Sequence, residues 1–324
     1  MLMRFSKSFV TARHRRSRGL EPQSGRILAG SRGPPSEFIR RLTAPWTDRS
    51  GEFSPLKATV FAGVLAPGAY FTVRYFQGAL DASLWQILVR ESGLWAIRFL
   101  MLTLAITPLK AILAWPQLTS LRRMLGVAAL GYTTVHLLAY SADLTFDLAT
   151  IAAELAFRLY LAVGTMAFLI MIPLGLTSTD GMVKRLGGPI WKRLHQLAYV
   201  IGFLSVLHFF LLLLKLITPE ATIWAGLFVW MMAFRVVTAW VGRPGKWWGL
   251  GLVAGAAIAT MLMEAGFFLF LSTLGADRVF LILSANWTGQ AGLRPGWIVA
   301  MLVLGLWVIG IGRGEYKAMV RGHA

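Results

Sequence analysis

Residues 191–214 read WKRLHQLAYVIGFLSVLHFFLLLL. After Arg193 the run holds no acidic or basic side chain except two histidines, His195 and His208. About 20 such residues are what a helix needs to cross the hydrocarbon of a bilayer. An ionisable ring inside that hydrocarbon is costly unless something binds it, so intramembrane histidines point to function. A third, His136, lies in the earlier apolar run LRRMLGVAALGYTTVHLLAY at 121–140. Three such histidines with no carboxylate in their runs are best accounted for by a haem iron, which makes the chain a candidate membrane cytochrome of b type.

The rest of the chain agrees with a membrane setting. Its 324 residues are 56% hydrophobic and 14% charged, outside the balance of ordinary soluble domains. The net charge of +18 does not imply nucleic acid. The basic residues gather in the N-terminal tail and in short loops between apolar runs, the positive-inside signature of a bacterial inner-membrane protein. Cysteine is absent, which excludes disulfides, Cys-ligated iron–sulfur clusters and covalent haem attachment. A haem here is held by axial ligands and packing alone.

Residues 1–54 form a basic tail rich in Arg, Ser, Gly and Pro. It has no apolar segment of the kind a secretory signal carries and reads as disordered and cytosolic. Eight stretches are apolar enough to span, near 56–76, 93–114, 121–140, 148–174, 190–214, 221–241, 248–272 and 296–312. Lys110, Arg122 and Arg123, then Lys184, Arg185, Lys192 and Arg193, then Arg243 and Lys246, then Arg313, Lys317 and Arg321 fall on the side of the tail. Asp81, Glu91, Asp143, Asp147, Glu220 and Asp277 fall on the other. The basic side is cytosolic, so both termini are inside. No G-x-G-x-x-G or P-loop marks a nucleotide-binding domain, and no internal repeat stands out.

Spans three and five run in the same direction, and His136 and His208 both come late in them. The two rings are therefore expected at similar depth in the outer half, facing each other across one haem. His195, near the cytosolic face, lies roughly 20 Å from His208 along a straight helix. That depth suits a second haem, but Arg122 and Arg123 stand where its partner on span three should be. Arg122 is 14 residues before His136, within about 40° of the same face, and a guanidinium suits propionates or a phosphate better than iron. The inner site is thus open to a five-coordinate haem, a flavin, or no cofactor. Thirteen residues turn an ideal helix by about 220°, so a distortion near Gly202 is expected if His195 and His208 both face inward. The alternative for each histidine is an interhelical hydrogen bond.

Arg98, inside span two near its outer end, is a candidate for the outer propionates or for snorkelling to headgroups. Glu154 and Arg158 form an i,i+4 pair with a structural reading. Glu264, in span seven, has no evident partner in sequence and reads as a buried hydrogen-bonding group or a proton or quinone contact. Met166 and Met171 could serve as axial ligands but read as apolar packing. Most tryptophans fall near span ends, as an interfacial belt does, and His14 and His323 lie in the tails.

Three segments carry a family resemblance. RFLMLTLAITPL (98–109) resembles the second span of the bacterial ferric-reductase-like membrane proteins. LRRMLGVAALGYTTVHLLAY (121–140) and LTSTDGMVKRLGGPIWKRLHQLAYVIGFLSVLH (176–208) resemble the MsrQ (YedZ) family, the haem-binding membrane subunits of the periplasmic methionine sulfoxide reductase system. The resemblance covers about residues 56–241. It implies electrons taken from the quinone pool or a cytosolic flavin reductase and passed through haem b to a periplasmic molybdopterin oxidoreductase that repairs oxidised envelope proteins. It carries the metal ligands over to His136, His195 and His208, and the arginine in place of a fourth histidine to Arg122. FMN is associated with the family but falls on no particular residues here. The basic tail and residues 242–324 are additions to the pattern.

The expected fold is an all-α, polytopic helix bundle: a tail over 1–54, a six-span ferric-reductase-like domain over 55–241 and an extension with two further spans over 242–324. The expected function is electron transfer through one haem b, or two, with His136, His208 and His195 as metal ligands. Arg122, Arg123 and Arg98 are the candidate cofactor contacts. Two other readings remain: a transmembrane reductase acting directly on ferric chelates or oxygen, and a proton-coupled transporter without haem.

Overall fold

The computed structural model describes residues 44–48, 50–78, 84–212, 219–242, 245–271, 276–288 and 292–322. Tail residues 1–43, His14 among them, lie outside the described residues, as do Asp81, Arg243, residues 289–291 and His323. So do the side chains of Lys246, Asp277, Lys317 and Arg321. The regular structure is helical apart from one isolated bridge between Thr47 and Phe53. In chain order the helices are α1 (Pro55–Phe76), α2 (Leu84–Ile112), a 3-10 turn (Pro116–Leu121), α3 (Arg122–Asp143), α4 (Leu148–Phe157), α5 (Leu159–Leu176), α6 (Asp180–Leu186), α7 (Gly188–His195), α8 (Ala198–Leu212), α9 (Glu220–Val241), α10 (Lys246–Leu271), α11 (Ala276–Thr288) and α12 (Pro295–Gly322). Eight of the segments are long and apolar enough to cross a membrane, the number expected.

Two boundaries differ from expectation. The fourth span begins at Leu159, not near 148, because the backbone leaves the helical region at Arg158 (φ −110°, ψ 101°). Residues 148–157 form the separate helix α4, capped by the Asp147 carboxylate, which accepts from the Ala149 N–H. Glu154 and Arg158 pair as the sequence suggests, but across this break, and Arg158 Nη1 also donates to the Tyr160 hydroxyl (3.1 Å). The fifth run is also interrupted: α7 ends at His195 and α8 starts at Ala198, with a turn between. The distortion thus falls at 196–197, not near Gly202. Gly202 serves close packing instead; a Cβ there would come within 2.7 Å of Phe228 and 2.9 Å of Leu104.

The core centres on α2, whose Phe99, Leu100, Met101, Leu104 and Ile106 are buried. This helix packs along α3 and touches α8, α9 and α12. Helices α10 and α12 pack on each other and on α9 through small residues. Gly226 closes on Thr260 and Val299, Gly296 on Met261, and Gly310 on the Ile112 backbone. Glu264, left without a partner by sequence reasoning, is paired with Arg294 just before α12 (2.9 Å).

Helix α1 is attached in a different way. Its one buried residue is Pro67, which has no N–H and so weakens the helix ladder. Beside it the Tyr132 hydroxyl of α3 enters the ladder, accepting from the Gly68 N–H (3.2 Å) and donating to the Val64 carbonyl (2.8 Å). Val64 and Gly68 are themselves an i, i+4 pair, so the hydroxyl bridges one bond of the α1 ladder and ties it to α3. Tyr132→Phe loses that tie while the ladder closes on itself, and is expected to destabilise the bundle by about 0.5–1.5 kcal/mol, read as an earlier thermal transition in detergent. An unchanged transition would mean that the hydroxyl does not hold α1.

Candidate cofactor site

Four helices form a closed ring: α2 packs on α3, α3 on α5, α5 on α8 and α8 on α2. His136 projects from α3 and His208 from α8 into this ring, with ring centroids 6.3 Å apart and planes at 84°. Each imidazole is held by the opposite pair of helices. His136 Nδ1 donates to the Val89 carbonyl of α2 (2.6 Å), and His208 Nδ1 donates to the Tyr160 carbonyl of α5 (2.6 Å).

The two anchors are built alike. A helical carbonyl points toward the residue four positions on, and here that residue is glycine in both cases, Gly93 after Val89 and Gly164 after Tyr160. With no side chain in the way, the Nδ1 edge of the imidazole comes close against the helix and reaches a carbonyl already inside the ladder. A Cβ on Gly93 would stand 2.9 Å from His136 Nδ1, and one on Gly164 would stand 2.7 Å from His208 Nδ1. Both rings are thereby fixed as the Nδ1–H tautomer, which leaves each Nε2 lone pair as the metal-binding atom.

The spacing fits a metal between the two rings. An imidazole nitrogen bonds a first-row metal at about 2.0–2.1 Å and lies about 1.1 Å from its ring centre, so imidazoles on opposite sides of one metal have centroids about 6.3 Å apart. Among the described residues no group of three or more His, Cys, Asp or Glu side chains could hold a metal ion. Two nitrogens are too few for a bare ion but suit an iron whose macrocycle supplies the remaining four.

His195 is placed differently. Its ring stacks on Trp191 (3.9 Å), its Nδ1 lies 3.0 Å from the Trp191 carbonyl and its Nε2 lies 3.3 Å from the Ser178 hydroxyl. Both nitrogens are engaged, as in the hydrogen-bonding alternative. Arg122 reaches Thr107 (3.2 Å), Arg123 pairs with Asp180 (2.7 Å), and Arg98 pairs with Glu220 (2.8 Å) while lying over the Trp95 ring. Met171 is buried and accepts from Thr133, and Met166 is exposed; neither stands as an axial group.

Sequence reasoning passes over Val89, Gly93, Tyr160, Gly164 and Arg235. The two glycines left a signal, each being isolated in an apolar span with no turn to explain it. Arg235 left one too, as a lone cation several residues inside α9. Its Nη1 donates to the Met231 carbonyl and its Nη2 to the Leu104 carbonyl, and its guanidinium lies 5.2 Å from the centre of the Tyr199 ring.

The family profile described as "Ferric reductase like transmembrane component" matches residues 92–206, a stretch that includes His136, His195 and both anchoring glycines. Curated relatives match more of the chain. The protein-methionine-sulfoxide reductase heme-binding subunit MsrQ of Azospira oryzae is 35% identical over 197 residues, covering 60% of this chain and 84% of that protein. This chain belongs to the MsrQ family. The MsrQ proteins of Caulobacter vibrioides (40% identical over 185 residues, 57% of this chain and 86% of the relative) and Rhodospirillum rubrum (38% over 184 residues, 56% and 88%) agree. No solved structure gives a significant match.

For this MsrQ-family chain the glycines supply a direct test of the anchors. Gly93→Ala and Gly164→Ala each push an imidazole off its carbonyl and should remove most of the haem bound per protein, measured as pyridine haemochrome. Gly251→Ala, in open space on α10, should remove none. Full haem in the first two variants would show that the rings do not need the carbonyls.

Proposed function

We propose that the chain is a membrane b-type cytochrome, the haem-binding subunit of a protein-methionine-sulfoxide reductase system. It passes electrons from the quinone pool or a reduced flavin to a periplasmic molybdopterin oxidoreductase. The observation that carries this reading is the His136–His208 pair, whose Nε2 atoms are left for metal at a spacing that accommodates one iron. The names of the relatives, each a heme-binding subunit, support it. A bound haem supplies a one-electron couple whose potential depends on the two imidazoles and their dry surroundings.

The chain's own residues perform the holding. Val89 and Tyr160 fix the tautomer and raise the basicity of the two ligands. Gly93 and Gly164 allow the close approach, and the apolar faces of α2, α3, α5 and α8 exclude water. No substrate chemistry is assigned to the chain, which acts as a subunit. In this reading the basic loops face the cytosol in the inner membrane, both termini are cytosolic, and the histidine pair lies toward the periplasm, where the acceptor docks. Residues 55–241 carry the haem, and residues 242–324 extend the surface offered to lipid and partner.

Reduced-minus-oxidised spectra with haemochrome quantification test the assignment on the wild type and three variants. His136→Ala and His208→Ala should each abolish the b-type signal, and His195→Ala should leave one haem per protein. A colourless wild type, produced with ample porphyrin, would overturn the reading.

A further inference from the structure

The end of the bundle that carries the histidine pair is crossed by a chain of four polar side chains. It begins at Tyr140, one turn after His136 on α3 and so on nearly the same stripe of that helix. The Tyr140 hydroxyl donates to Glu154 Oε2 of α4 (3.0 Å), and Glu154 Oε1 accepts from Arg158 Nη2 (2.5 Å). Arg158 Nη1 donates to the Tyr160 hydroxyl (3.1 Å). Tyr160 closes the chain on the other imidazole: its carbonyl holds His208 Nδ1, and its ring centre lies 6.2 Å from that of His208. A carboxylate and a guanidinium are thus strung between the helix that bears one imidazole and the residue that anchors the other.

An i,i+4 ion pair on an exposed helix face contributes little. This pair is built differently. The helix breaks between its members, at Arg158 (φ −110°, ψ 101°), so helix geometry does not keep the two together. The Glu154 side chain is 19% exposed and that of Arg158 43%, and each is hydrogen-bonded to a phenol that holds it in place. Charges in such partly buried positions are screened less than charges in open solvent. Asp147, at the start of α4, is occupied locally, accepting from the Ala149 N–H and the Thr150 hydroxyl. Beside an iron that gains one electron, a cation favours the ferrous form and an anion the ferric form, and haem potentials respond to the groups just outside the ligands.

We propose that Glu154 and Arg158 set the reduction potential of the haem held by His136 and His208, Glu154 lowering it and Arg158 raising it. Tyr140 and Tyr160 are the positioning residues that keep both charges at fixed distance from the two imidazoles. This rests on the reading of the chain as a b-type cytochrome and names a control on the same site.

The test is a redox titration of full-length protein in detergent, following the b-type absorbance, with haem per protein and the thermal transition measured on the same samples. Glu154→Gln keeps the side-chain shape and an oxygen for the Tyr140 hydroxyl but removes the negative charge, and should shift the midpoint potential upward. Arg158→Gln should shift it downward. The double variant should return close to the wild-type value, and Arg158→Lys, which keeps the charge, should stay there. Haem per protein should hold in all four, because the carbonyl anchors are untouched. Shifts of the same sign in the two single variants, or an unmoved midpoint in both, would overturn the proposal and leave the pair as a brace across the helix break. Loss of haem from both single variants, with its recovery in Arg158→Lys alone, would overturn it in favour of a purely structural strap. A wild type without haem would overturn the cytochrome reading, and this proposal with it.

Discussion

Each imidazole of the histidine pair depends on a helix carbonyl that accepts a bond from outside its own helix. That interaction needs three things at once: a carbonyl at the right depth, a glycine four residues later, and a neighbouring helix close enough to present the ring. Val89 and Gly93 meet the first two for His136, and Tyr160 and Gly164 meet them for His208. The ring of α2, α3, α5 and α8 meets the third. An Nδ1–H bond to a carbonyl also decides which nitrogen is left for metal, so the same contact sets ring position and chemical state together.

Much of this was legible in the sequence. The eight spans follow from hydropathy alone, and the depth match of His136 and His208 follows from span direction and position. Their meeting at 6.3 Å is what parallel spans with late histidines should give. The anchors were not legible, because a carbonyl leaves no mark in a sequence and a lone glycine in an apolar span has many uses. The break at Arg158 was hidden for a related reason. No Gly or Pro marks it, and the ion pair that spans it looks like an ordinary helical pair. No Gly or Pro marks the turn at 196–197 either, and the geometric need for a distortion pointed to Gly202, which in fact closes on Phe228 and Leu104.

Among the described residues, most charged groups on the spans and their ends find an opposite charge, and two do not. Arg98 pairs with Glu220, Arg123 with Asp180 and Glu264 with Arg294. None of these partners could be read from sequence, since each lies on a distant segment. Arg122 and Arg235 stand apart: their bonds go to a hydroxyl and to carbonyls, which satisfy hydrogens without neutralising charge. Pro108 is the local cause for one of them, because a proline inside a membrane helix creates an acceptor that something else must satisfy.

The attachment of α1 has a consequence of its own. Tyr132 and His136 are one turn apart on α3, so phenol and imidazole project from nearly the same stripe of that helix. The first span, with Pro67 as its one buried residue, is thus fastened to the very helix that carries His136. Any tilt of α1 therefore acts, through a lever one turn long, on the helix that presents the His136 ring.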